Sequence, residues 1–232
     1  MEQQNINPAQ NKIGPCDNTT SLGYHPLQLF YGYYIDKVPH NVLNELKVDI
    51  DSIINNNFKG CTKANEYLVG EIEHEYKLKA GRELNEYIYR VSNELEKHSG
   101  YINHRGWSNN KFEPELWINF MRKYEYNPLH DHSGAYSFVI WYKVPYTYEQ
   151  ENNSRYKSSH NPLSHGSFNF IIPTQTAFNQ TVTSIQLDVD KNKEGYCAIF
   201  PSSLGHCVYP FYSTDEYRIT VAGNIKFIDK NE

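Results

Sequence analysis

Three of the ten histidines stand where their chemistry could combine: His130 and His132 in YNPLHDHSG, and His206 in FPSSLGHCVYPF. In an extended chain, residues two apart project to the same side. Both imidazoles of the His-x-His pair could therefore reach one metal ion while Asp131 points away. A third ligand from a distant strand would close a facial set. Imidazole is a common ligand of iron, zinc, copper and nickel, and a facial set of two histidines and one carboxylate with open positions carries the oxidative chemistry of non-haem Fe(II). Taken alone, a His-x-His pair is more often two polar side chains at a strand end, and a lone histidine more often a hydrogen-bonded core residue. The setting of His206, with an apolar strand, the PSSLG turn and a following YRITVAGNI, raises it above that background.

Arg218 and Thr220 carry a second mechanism. Both fall on the strand face opposite Ile219 and Val221, and a guanidinium turned inward requires an anionic partner, because burial without one is costly. That partner is either a bound carboxylate or an internal Asp or Glu. With a turn over Ser213 to Glu216, Arg218 is expected opposite about Tyr209, roughly 10 Å along the strand from His206. A small dicarboxylate could then bridge guanidinium and metal. Trp117 and the many tyrosines read as sheet packing, although Trp117 with Asn119 could line a pocket. His160 and His165 sit in a polar segment and are expected to be solvated. Cys207 points away from His206 by parity and reads as core.

The elements that must position these residues change character along the chain. Val42, Leu43, Leu46, Ile50, Ile53 and Ile54 recur at three and four after Pro39, which predicts a helix over 39–57. Leu84, Tyr87, Ile88, Val91 and Leu95 predict a second over 80–98, with Gly100 as its C-terminal cap. Beyond Gly100 the period is two, with strand patterns at 116–121, 136–142, 167–172, 184–189, 196–200, 206–210 and 217–227. Two helices followed by seven or more strands predict a mainly β sandwich or jelly roll, its helices backing one sheet. Residues 1–24 read as a loose arm, 25–232 as a single domain, and 146–166 as a polar loop over one end of the barrel.

Composition narrows the function classes. With 232 residues, 39% hydrophobic and 21% charged, the chain can bury a core and is not disordered throughout. The longest apolar run, Phe138 to Tyr142, is far shorter than the roughly 20 residues of a spanning helix, so no membrane segment is expected. A net charge of -5 without a basic block makes nucleic acid an unexpected ligand. The N-terminus lacks the charged and apolar regions of a secretory signal. The four cysteines have no CxxC spacing, so a reduced, cytoplasmic setting is expected.

On these residues the sequence resembles the 2-oxoglutarate and Fe(II)-dependent oxygenase superfamily, and more narrowly its members from marine phage and related microbial genomes. The pieces are LWINFMRKYEYNPLHDHSGAYSFVIWYKVP, GSFNF and IFPSSLGHCVYPFYSTDEYRITVAGNIKF. The resemblance implies a double-stranded β-helix, or jelly roll, with iron at its open end and a cytoplasmic enzyme, in a host cell if phage-borne. It implies Fe(II) and 2-oxoglutarate as cofactors and O2 as cosubstrate. His130 matches the first metal ligand and His206 the distal one. Arg218 matches the clamp on the far carboxylate of 2-oxoglutarate, Thr220 its hydroxyl partner, and Tyr126 a phenol beside the cosubstrate.

One position departs from the family pattern, in which His-x-Asp or His-x-Glu is usual and this chain has His132. Either the metal set is His130, His132 and His206, which strand parity favours, or a local bulge turns Asp131 inward. Two rival readings remain. A cupin-type enzyme without 2-oxoglutarate would usually carry Glu about four residues after the second His, where Tyr136 stands. A non-catalytic jelly roll leaves Arg218 and Thr220 unexplained. The primary substrate is not identified by the resemblance, which spans oxygenases of peptides, nucleobases, sugars, lipids and amino acids.

Overall fold

The computed structural model describes residues 22–28, 31–107, 111–153, 164–175 and 180–228. Helix α1 (His40–Asn55) starts after Pro39, whose extended backbone forms the N-cap, and it buries Val42, Leu46 and Ile50. Helix α2 (Arg82–Ser99) buries Leu84, Ile88, Val91 and Leu95 and stops at Gly100, which takes the left-handed conformation (φ 59°) that glycine adopts without strain. A short α3 (Tyr101–His104) follows.

The helices do not precede all the strands, contrary to the sequence expectation. Strands β1 (Gly23–Gln28) and β2 (Tyr31–Lys37) come before α1, and β3 (His74–Leu78) lies between α1 and α2. Gly23 and Tyr24, at the end of the expected arm, belong to β1; residues 1–21 of that arm lie outside the described residues. The remaining strands are β4 (Lys111–Met121), β5 (Asn127–His130), β6 (Tyr136–Lys143), β7 (Phe168–Gln175), β8 (Gln180–Leu187), β9 (Tyr196–Pro201), β10 (His206–Val208) and β11 (Arg218–Ile228).

These strands form a seven-stranded sheet, β1-β2-β9-β6-β11-β4-β3, and a four-stranded sheet, β5-β10-β7-β8. All the pairings are antiparallel. Period-two alternation sorts the large sheet's side chains between two cores. Ile118, Phe120, Phe138, Ile140, Ile199, Ile219 and Val221 pack against α1 and α2. Trp117, Val139, Trp141, Ala198, Phe200 and Ala222 pack against Phe168, Phe170, Ile172 and Val208 of the small sheet. Strand β6 serves both cores and is buried over its first six residues. The layers are thus helices, large sheet and small sheet, with the second core enclosed between sheets.

Two further expectations are corrected. The polar segment 146–166 is not uniformly a loop: Thr147 and Gln150 form a capping box that starts α4 (Tyr148–Asn152). Glu151 is buried and accepts the backbone N–H groups of Tyr212 and Ser213, each at 2.9 Å. Residues 154–163, including His160, lie outside the described residues. The expected hairpin between the strands of His206 and Arg218 is absent: β10 pairs with β5 and β7, whereas β11 pairs with β4 and β6. The chain crosses between sheets over residues 209–217, so Arg218 stands opposite Met121 and not Tyr209.

Candidate active site

That crossover brings the histidines together. Strands β5 and β10 pair with His130 directly opposite His206. His132 follows two residues later, its backbone N–H donating to the Ser202 carbonyl at 2.9 Å. The three ring centroids lie 4.2 Å (His130 to His206), 4.8 Å (His130 to His132) and 5.1 Å (His132 to His206) apart. One ligating nitrogen from each can stand within 4.8 Å of the other two. Asp131 is exposed and lines an adjoining cleft but not the cavity that holds the three histidines, so parity places His132 and not Asp131 with its neighbours.

The protonation of this cluster suits a metal. His130 Nδ1 lies 2.7 Å from the Pro128 carbonyl and His206 Nδ1 lies 2.9 Å from the Leu204 carbonyl. A carbonyl only accepts, so each Nδ1 carries the proton and each Nε2 keeps its lone pair for a ligand. Burial holds all three imidazoles below the ordinary histidine range, with mutual repulsion adding to the effect at His132 and His206; His132 is lowered to about 4. Three neutral imidazoles facing one point are a ready nitrogen donor set without negative charge.

Arg218 and Thr220 line the same cavity, of about 50 Å³, as the three histidines, with Asn119, Asn127 and Trp141. Arg218 is 4% exposed. Its Nη1 donates to the Tyr146 hydroxyl at 3.0 Å and the Gly166 carbonyl at 2.8 Å, while its Nε is buried with no acceptor. Among the described residues no carboxylate lies within ion-pair distance of the guanidinium. Of the two partners that the sequence allowed, the internal Asp or Glu is therefore not found among the described residues. A buried, partly orphaned guanidinium across a cavity from three imidazoles fits a dicarboxylate that also reaches a metal. Thr220 Oγ1 accepts from Asn119 Nδ2 at 3.3 Å, which leaves the hydroxyl proton for a ligand.

Tyr126 is placed outside this cavity. It is 41% exposed and its carbonyl accepts the Glu71 N–H. The cause is a bulge: His206 pairs with His130 but Val208 pairs with Asn127, so β5 carries one extra residue and its parity flips. Asn127 lines the cavity instead. His165 is half-buried against Tyr212 and Glu151 and not part of the histidine trio. Cys207 is half-buried, not core. Tyr146, Gly166 and Asn127 were missed from sequence, as was Glu75, a buried carboxyl described below.

Residues 115–224 match the family described as "Putative 2OG-Fe(II) oxygenase". The crystal structure of a Pseudomonas putida prolyl-4-hydroxylase superposes with a TM-score of 0.52 at 11% identity, covering 86% of this chain and 94% of that one. An oxidoreductase of the 2OG-Fe(II) oxygenase family from Burkholderia pseudomallei gives a TM-score of 0.40 at 12% identity, covering 84% of each chain. No curated protein matches the chain. The mostly β fold with few helices is shared with the prolyl-4-hydroxylase, and the family match supports the 2-oxoglutarate and Fe(II) oxygenase superfamily.

Proposed function

We propose that the protein is a non-haem Fe(II) and 2-oxoglutarate-dependent dioxygenase, a hydroxylase in which the two facing sheets form the double-stranded β-helix. The observation that carries this reading is the shared cavity of His130, His132, His206 and the acid-free Arg218. His130, His132 and His206 would hold Fe(II) through neutral nitrogens. Arg218 and Thr220 would bind the far carboxylate of 2-oxoglutarate, with Tyr146 and the Gly166 carbonyl fixing the guanidinium plane. The bound metal with O2 supplies oxidative decarboxylation of 2-oxoglutarate to succinate and CO2, coupled to oxidation of a substrate C–H bond. Phe168, Phe200 and Trp141 wall the cavity and limit water entry.

The cupin-type alternative loses support here, because Tyr136 faces the helices and donates to Glu96. A cytoplasmic setting is supported by the free thiols of Cys61, Cys197 and Cys207. No helix of the described residues is long and apolar enough to cross a membrane.

The test is anaerobic addition of Fe(II), then 2-oxoglutarate, to metal-free protein, reading the visible charge-transfer absorption of the chelate. Absorption that needs both components is expected. Arg218→Ala should weaken 2-oxoglutarate by about 100-fold and leave metal affinity unchanged. His206→Ala should weaken Fe(II) by more than about 100-fold, beyond what loss of an outer partner costs. Equal 2-oxoglutarate titrations of wild type and Arg218→Ala would sink the cosubstrate role, and full Fe(II) affinity in His206→Ala would remove that ligand.

A further inference from the structure

A second, smaller cavity of about 20 Å³ adjoins the histidines, lined by Gly70, Glu75, Trp117, Asn127, His130 and His132 among others. That volume holds one water- or ammonium-sized group. Glu75 pairs in register with Asn119, and Asn119 with Thr220, so one row crosses β3, β4 and β11 on the face that looks toward the histidines. Glu75 is 1% exposed. Its Oε2 accepts from Asn65 Nδ2 at 3.3 Å, and among the described residues no Lys or Arg lies within ion-pair distance of it.

The polar wall of this corner includes two oxygen acceptors, on Glu75 and Asn127, beside the imidazoles of His130 and His132. Asn127 Oδ1 is buried without a donor, as is Asn119 Oδ1 in the adjoining cavity of the three histidines. A Cβ on Gly70 would stand 2.2 Å from Asn127 Oδ1 and 3.0 Å from Glu75 Oε1, so these two oxygens lie within about 5 Å of one another, and the missing Cβ is what lets Asn127 approach. Buried acceptors without donors are costly, and a buried carboxyl opposed only by the longer-range charge of Lys63 more so. A primary ammonium supplies three N–H donors and the missing charge in a group of this size; a hydroxyl supplies one donor and no charge. A wider cleft of about 340 Å³ shares Leu68, Trp117 and His132 with the small cavity and leaves room for the rest of a substrate.

We propose that Glu75 and Asn127 form the subsite for a primary ammonium group of the substrate, which makes the substrate class an aliphatic amine whose charged end is seated beside the metal. The inference rests on the oxygenase reading for the word substrate, and on Glu75, Asn127 and Gly70 for the amine.

Calorimetry on the protein loaded with Mn(II) and 2-oxoglutarate compares n-pentylamine and 1,5-diaminopentane with 1-pentanol and 1,5-pentanediol. The amines should bind about tenfold or more tightly than the alcohols. Glu75→Gln should abolish that preference with Mn(II) and 2-oxoglutarate affinities unchanged, and Gly70→Ala, whose Cβ would push the Asn127 amide aside, should weaken the amines alone. Absence of amine binding, alcohols binding equally, or an unchanged preference in Glu75→Gln overturns the proposal. So does a matching loss of Mn(II) affinity in Glu75→Gln, which would make the carboxylate a counter-charge to the metal. Amine preference without an Fe(II) and 2-oxoglutarate chelate supports the subsite and sinks the oxygenase reading; a chelate without amine preference sinks the subsite alone.

Discussion

The two faces of the large sheet follow different rules. Toward the helices, Ile118, Phe120, Phe138, Ile140, Ile199 and Val221 meet Leu46, Ile88, Val91 and Leu95 in an apolar core. Toward the small sheet, the alternate positions include Asn119, Ser137, Arg218, Thr220 and Asn224, all buried. Even there the polar groups divide. Ser137 joins Ser202 at 3.0 Å and Asn224 at 2.7 Å, and Ser202 holds His132 through its carbonyl, so this network is closed. In the same cavity as the histidines, Asn119 Oδ1, Asn127 Oδ1 and Arg218 Nε are left open. The helix face supplies stability that the site face gives up, and the open groups that share one cavity with the histidines are those a ligand can reach.

The largest effect should come from the helix face. Leu95 is fully buried, and Leu95→Ala should cost about 2–5 kcal/mol in urea unfolding while leaving Mn(II) affinity unaltered. Asn119→Leu removes an orphan acceptor together with the long Nδ2 donation to Thr220, so the two effects offset and the metal-free protein should lose less than about 1 kcal/mol. If the two variants are equally destabilising, the division between the faces is wrong.

The next effect uses acid against the site face, with His132 as the probe. His132 is lowered to about 4 in the folded protein, so between the ordinary histidine value and 4 the unfolded chain binds the proton that the folded one refuses. Stability of the metal-free protein must therefore fall as pH drops through that window, by about 2–3 kcal/mol for His132 alone. Unfolding of wild type and His132→Asn at pH 7 and pH 4.5 measures it. Parallel pH curves would mean that the imidazole is not desolvated as the cavity requires.

How much of this division was legible in sequence follows from how local each feature is. The 3.6 and 2 periods were readable in α1, α2, β6 and β11 because they are written in consecutive residues, and so was the opposition of Arg218 and Thr220 to Ile219 and Val221. Strands β1 to β3 were missed because their tyrosines and charges blur the alternation. The pairing of β10 with β5 was not readable, since a short strand reaches across sheets without a sequence mark. The bulge that exchanges Tyr126 for Asn127 is equally silent until the register is known. The capping box at Thr147 and Gln150 was written in the sequence and passed over. Glu75, in HEYKL, looks like an ordinary exposed acid until β3 is seen as the strand beside β4.

That buried acid provides the smallest and most selective test of the two-face comparison. Burial raises the Glu75 carboxyl to about 7, with the nearby charge of Glu125 adding to the rise. A carboxyl raised above its unfolded value makes folding less favourable as pH climbs from about 4.5 to 7, since the unfolded chain ionises first, and the full cost applies above 7. Glu75→Gln keeps the shape and removes the charge. It should therefore stabilise the metal-free protein by about 1–2 kcal/mol at pH 8, allowing for screening by water in the adjoining cavity, and by almost nothing at pH 5. A gain of equal size at both pH values would trace the effect to packing, not to charge. A loss at pH 8 would mean that the ionised carboxylate has a structural partner, and Glu75 would then belong with Ser137 and Asn224 among the closed groups of the sheet.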